Sequence, residues 1–142
     1  MRQCNKPAAV AIGTIALAVA AILAGSSAAG TGKEESFSRV EVKTQANGDQ
    51  VVATVKVTGR GGFGCNLLYP WRLTLTPGPG VEMPKTTYGK GDAKVFTRDA
   101  VIFEVRYSAG ASAGEIKARL RLSVCNEKQC QMEQVDLAWP AR

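Results

Sequence analysis

The chain has 142 residues, 45% of them hydrophobic, a formal net charge of +6 and no histidine. Such a length suits one domain with a short extension. The missing histidine excludes Ser-His-Asp and Cys-His nucleophilic sites, along with the usual His-rich zinc and copper sites.

Residues 1–29 read as an export signal. Arg2 and Lys6 make a basic start, and Ala8 to Leu23 is apolar with only Thr14 as a polar interruption. Ala24-Gly25-Ser26-Ser27-Ala28-Ala29 then offers the small residues that signal peptidase requires. The apolar run falls short of the roughly 20 residues of a membrane-spanning helix, so cleavage after Ala28 or Ala29 is expected, with an uncleaved anchor as the alternative. Ser26 stands where a lipoprotein signal would carry cysteine. Cleavage would remove Cys4 and, with Arg2 and Lys6, lower the charge from +6 to +4. Basic and acidic residues are interspersed, which argues against nucleic-acid binding. A periplasmic or secreted location is therefore expected, where disulfides form and persist.

Residues 30–36 form a polar leader, and 37–142 a single β domain. Val40, Val42 and Thr44 alternate with Arg39, Glu41, Lys43 and Gln45. Ala46-Asn47-Gly48-Asp49 supplies a hairpin turn, because Asn-Gly tolerates positive φ. Val51, Ala53, Val55 and Val57 form the buried face of the return strand. Gly59 to Pro70 reads as a Gly-rich loop. Trp71, Leu73 and Leu75 begin the next strand, which Pro77-Gly78-Pro79-Gly80 ends. Between Val81 and Ala93 only a weak edge strand is expected, since Pro84 argues against a central one. Val101, Phe103, Val105 and Tyr107 alternate with Ile102, Glu104 and Arg106. After a connection of small residues, Ile116, Ala118, Leu120, Leu122 and Val124 face inward, with Lys117, Arg119, Arg121 and Ser123 outward. Val135, Leu137 and Trp139 close the chain. About six to eight short strands separated by turn signals predict an all-β, immunoglobulin-like antiparallel sandwich, monomeric and without an internal repeat.

Cys125 and Cys130 flank a turn in Ser123-Val124-Cys125-Asn126-Glu127-Lys128-Gln129-Cys130. Three intrachain pairings are open to Cys65, Cys125 and Cys130, and proximity favours Cys125–Cys130. The outward phase of Arg119, Arg121 and Ser123 carries Cys125 to the solvent face. Opposed at a non-hydrogen-bonded position, the two Cα atoms would lie roughly 4.5 Å apart, within disulfide range. A ring of about six residues gains only on the order of 2 kcal/mol from loop closure. Exposed bonds are also the exchangeable ones. Lys128, Arg119 and Arg121 could stabilise a Cys125 thiolate, which Glu127 would oppose; Cys125 is thus the expected reacting sulfur. An inert hairpin disulfide in a cell-envelope binding or structural module is the competing reading.

Gly114-Glu115-Ile116, then Leu120-Arg121-Leu122-Ser123-Val124-Cys125-Asn126 and Cys130, resemble the end of the N-terminal domain of the thiol:disulfide interchange protein DsbD. The resemblance spans residues 100–139. It implies an immunoglobulin-like fold, Cys125 and Cys130 as a redox pair, and a thioredoxin-like partner that exchanges electrons with them. Gln131 and Met132 stand where a pair of prolines commonly follows the second cysteine. Two readings follow: a stand-alone relative that exchanges thiols with a separate partner, or one that kept the fold and bond without electron transfer.

Gly64-Cys65-Asn66-Leu67-Leu68-Tyr69-Pro70-Trp71 joins a third thiol to two aromatics. Asn66, Tyr69 and Trp71 are candidates for a partner-facing loop that caps the disulfide. Trp71 also shares the phase of Leu73 and Leu75, which favours the core for it. Cys65 is expected to be a buried free thiol, an intermolecular bridge or a resolving thiol. No cofactor, metal or hydrolase constellation is recognised.

Overall fold

The computed structural model describes residues 36–142. The export signal, Cys4 within it and leader residues 30–35 lie outside the described residues.

Alternating β-branched and apolar residues make this region all-β, as expected. Its strands are β1 (Ser38–Asn47), β2 (Gln50–Gly59), β3 (Gly64–Cys65), β4 (Arg72–Thr76), β5 (Val81–Glu82), β6 (Thr87–Gly89), β7 (Val95–Phe96), β8 (Val101–Ala109), β9 (Glu115–Cys125) and β10 (Cys130–Pro140). A 3-10 turn, Lys90–Asp92, separates β6 from β7. Two antiparallel sheets result. One runs β1-β2-β8, with β5 and β7 on the far side of β8; the other runs β10-β9-β4-β6, with β3 beside β9.

The inward residues of β2, β4, β8 and β9 fill one shared core. Val55, Val57, Leu73, Phe103, Val105, Ile116, Leu120 and Leu122 are fully buried there. Two polar links tie the sheets together without leaving a buried group unpaired. The Tyr107 hydroxyl on β8 donates to the Ala141 carbonyl at 3.1 Å and accepts from the Trp139 indole N–H at 3.4 Å. Glu133 points inward from the edge strand β10, where it accepts the Phe37 N–H at 2.6 Å and the Ser36 and Ser38 hydroxyls. An inward carboxylate of this kind also discourages edge-to-edge pairing of β10.

Some elements differ from expectation for local reasons. β1 is a sheet edge, so Val40 and Val42 are only half-buried and Thr44 is exposed. The first turn centres on Gly48-Asp49, with Gly48 at φ 61°. The stretch from Val81 to Ala93 holds β5 and β6, which belong to opposite sheets. Strands of two or three residues carry too little alternation to show in a sequence. The Gly59–Pro70 loop contains β3, which positions the site.

The disulfide face as the candidate functional site

β9 and β10 pair over eleven residues, from Glu115↔Pro140 to Cys125↔Cys130. Strict alternation along both strands sends Cys125 and Cys130 to the outward face. Their sulfurs are bonded at 1.99 Å, with Cα atoms 4.0 Å apart. Next to them the Asn126 N–H donates to the Gln129 carbonyl at 2.9 Å. The cysteines therefore occupy the non-hydrogen-bonded position, where backbones approach most closely. Asn126 Oδ1 accepts the Lys128 and Gln129 N–H groups, both at 2.8 Å, and so fixes the turn.

Cys125 is not a free strand end. On its other side β3 pairs with β9, setting Gly64 against Cys125 and Cys65 against Val124. Cys125 is consequently half-buried, while Cys130 is exposed. Gly64 has a steric reason to be glycine. A Cβ there would project on the Cys125 face and meet Arg98 Cγ at 2.7 Å and Nε at 3.0 Å. The Arg98 side chain thus packs against Gly64, the cross-strand neighbour of Cys125. It makes no ion pair among the described residues.

Charge around the bond differs from the sequence reading. Arg119 is held by Asp136, with Nε–Oδ1 at 2.8 Å. That partner pushes the Asp136 carboxyl below its usual range, first through the hydrogen bond and then through charge. Arg121 lies four residues from Cys125, about 13 Å at strand rise, beyond the roughly 10 Å Debye length at moderate salt. Neither arginine is placed to act on Cys125, while Arg98 packs against its neighbour Gly64 and Lys128 sits in the turn that follows it. The sequence hid this because residue 98 reaches the site only through β3.

Cys65 is a buried free thiol, 3% exposed, the first of its three expected states. Its Sγ faces the Val57 carbonyl at 3.8 Å. Burial, and then the charge of Asp99, push this thiol above its ordinary pKa. It points to the core, opposite in phase to Cys125, and is not part of the site.

The loop after Cys65 folds over the outward face of β9. The Asn66 N–H donates to the Ser123 carbonyl at 2.9 Å, and Asn66 Nδ2 donates to Ser123 Oγ at 3.3 Å. Ser123 is therefore buried, although its phase is outward. Asn66 also accepts the Leu68 N–H on Oδ1 at 3.1 Å and the Trp71 indole N–H on its carbonyl at 2.7 Å. Its part is to shape the loop. Trp71 is buried, 2% exposed, with its ring edge-on to Phe96 at 6.1 Å, so it belongs to the core and not to a partner-facing surface. Tyr69 is half-buried.

The residues that do project are Leu67 and Leu68, which the sequence reading passed over. Leu68 is 92% exposed, Met132 74% and Leu67 36%; these are the exposed large hydrophobic residues of the described domain. All three belong to segments that neighbour Ser123 on β9. Leu67 and Leu68 follow the Asn66 that grips Ser123, and Met132 is the cross-strand partner of Ser123. A pair of adjacent leucines in a loop was the available signal.

Among the described residues no cluster of acids, cysteines or histidines could hold a metal, and no helix is long and apolar enough to cross a membrane. Protein-family models were searched and none matches the chain, and a search of curated proteins finds no match.

Proposed function

We propose that this protein is an exported, immunoglobulin-like thiol–disulfide exchange module, similar to the DsbD N-terminal domain, with Cys125 and Cys130 as its redox pair. The observation that carries the reading is placement: a short-ring disulfide at an outward strand end, with Cys130 exposed and the unpaired Arg98 packed against Gly64, the cross-strand neighbour of Cys125. Exposure makes the Cys130 sulfur the point of attack, in place of the half-buried Cys125 that the sequence favoured. An incoming thiolate forms a bond to Cys130 Sγ, and the S–S bond breaks. Cys125 leaves with the electron pair and then takes up a proton. A second thiolate on the partner attacks the mixed disulfide and releases Cys130. The partner dithiol is oxidised to a disulfide, and this domain gains two electrons and two protons. A thioredoxin-like protein supplies such a dithiol.

Arg98 favours the leaving thiolate, since a cation near a cysteine lowers its pKa. The Asn66 loop, bonded to Ser123 two residues before Cys125, shields one flank of the bond. Equilibration of the full chain, carrying Cys4→Ser, against dithiol buffers tests the reading. A midpoint above about −300 mV supports exchange; a bond that stays oxidised below that value is structural, and the reading fails.

A further inference from the structure

We infer that the surface around the disulfide selects thiol partners that carry an apolar contact residue within an acidic rim. The inference rests on the exchange reading and adds the chemistry of the partner. Two independent features point to it.

One is apolar. Leu67, Leu68 and Met132, the exposed large hydrophobics of the described domain, lie on the two segments that flank Ser123, two residues from Cys125. Solvent-facing leucine and methionine concentrated at one spot mark an interaction surface, and methionine is enriched at protein interfaces.

The other is charge. Arg72 and Arg121 are direct cross-strand partners on the same outward face. Like charges so opposed are destabilising. Neither has an ion-pair partner among the described residues. They line one cleft with Tyr69, Lys85 and Asp92. Asp92 does not neutralise them, because Lys85 and the Gly89 N–H already hold its carboxylate. The cleft thus keeps two arginines without an acidic partner among the described residues. It lies along β9 from the apolar spot, so one partner protein would meet both. Arginine suits the role, since its fork binds carboxylates bidentately.

Three single-thiol peptides test this, each with a Leu-Cys-Leu core flanked by Glu, Gln or Lys. Their rates of reducing the bond in the full Cys4→Ser chain are normalised to their rates with a small neutral disulfide, which removes differences in thiol pKa. The Glu peptide should be faster than the Lys peptide by about tenfold, with the gap closing in high salt. Replacing both arginines, Arg72→Gln with Arg121→Gln, should bring the ratio towards one. Leu68→Ser with Met132→Ser should slow the Leu-core peptides more than peptides with a Gly-Cys-Gly core. Equal normalised rates, or a ratio unchanged by loss of both arginines, overturn the inference while leaving the exchange reading standing. A bond that no thiol reduces, dithiothreitol included, overturns both.

Discussion

Arg98 and Cys65 show how position decides the fate of a sulfur. Cys125 has a guanidinium stem lying over its cross-strand neighbour, and Cys65 has the core. Arg98→Gln removes the cation packed against the cross-strand neighbour of Cys125, so the thiol pKa of the reduced protein should rise by on the order of one unit. Ultraviolet thiolate absorbance against pH reads this directly, and Arg98→Lys should restore part of the effect. An unchanged titration in Arg98→Gln would remove Arg98 from the mechanism. Cys65 should resist alkylation in the native oxidised protein near pH 8 and react fully in denaturant, because burial keeps it protonated and out of reach. Rapid native labelling would contradict the packing of β3. The outward phase of Cys125 was legible from Arg119 and Arg121 alone. Arg98 was not, because the contact depends on a two-residue strand that no alternation announces. Ser123 misled for a related reason: its phase is outward, but a distant loop covers it.

The β9–β10 hairpin is the element on which both readings turn. Its eleven-residue register and inward Ile116, Leu120, Leu122 and Val124 hold it in place without the disulfide. Replacing both cysteines by serine should therefore cost about 2 kcal/mol in urea unfolding and leave the folded baseline intact. Asn126→Ala removes the acceptor of two 2.8 Å turn bonds and should cost about 1 kcal/mol, with the larger effect in the reduced protein, where the turn alone sets the register. A midpoint shift equal in both redox forms would mean the turn does not help close the ring. Long central strands were the readable part of this fold, since β2, β8 and β9 repeat an apolar residue at every second position. The short strands β3, β5, β6 and β7 take their structure from the neighbours they pair with, and β5 and β6 separate into different sheets although few residues lie between them. The link from Glu133 to Ser36, Phe37 and Ser38 is likewise tertiary, and nothing in the local sequence signals it.

At the scale of the whole molecule, buried ionisable groups make stability depend on alkaline pH. Cys65, Tyr88 and Tyr107 are all held above their ordinary pKa values of 9.0, 10.0 and 10.0, in each case chiefly by burial. The charge of Asp99 adds to the shift at Cys65, while Lys85 partly opposes the shift at Tyr88. In the unfolded chain the thiol and the phenols ionise near their ordinary values; in the native domain they keep their protons to higher pH. Above about pH 9 the native state therefore binds more protons than the unfolded state, and stability falls as pH rises. Below that pH both states are protonated and the three groups contribute no slope. The urea midpoint should stay level from about pH 7 to 8.5, then decline first with the thiol and more steeply as the phenols join. Tyr107→Phe separates the two roles of that residue. Losing the hydroxyl bond to Ala141 should cost about 1 kcal/mol near neutral pH, yet the decline above about pH 10 should become shallower because one ionising group is gone. Cys65→Ala should delay the onset of the decline towards the phenol range. A midpoint that holds level to about pH 11 in the parent protein would contradict the burial of all three groups.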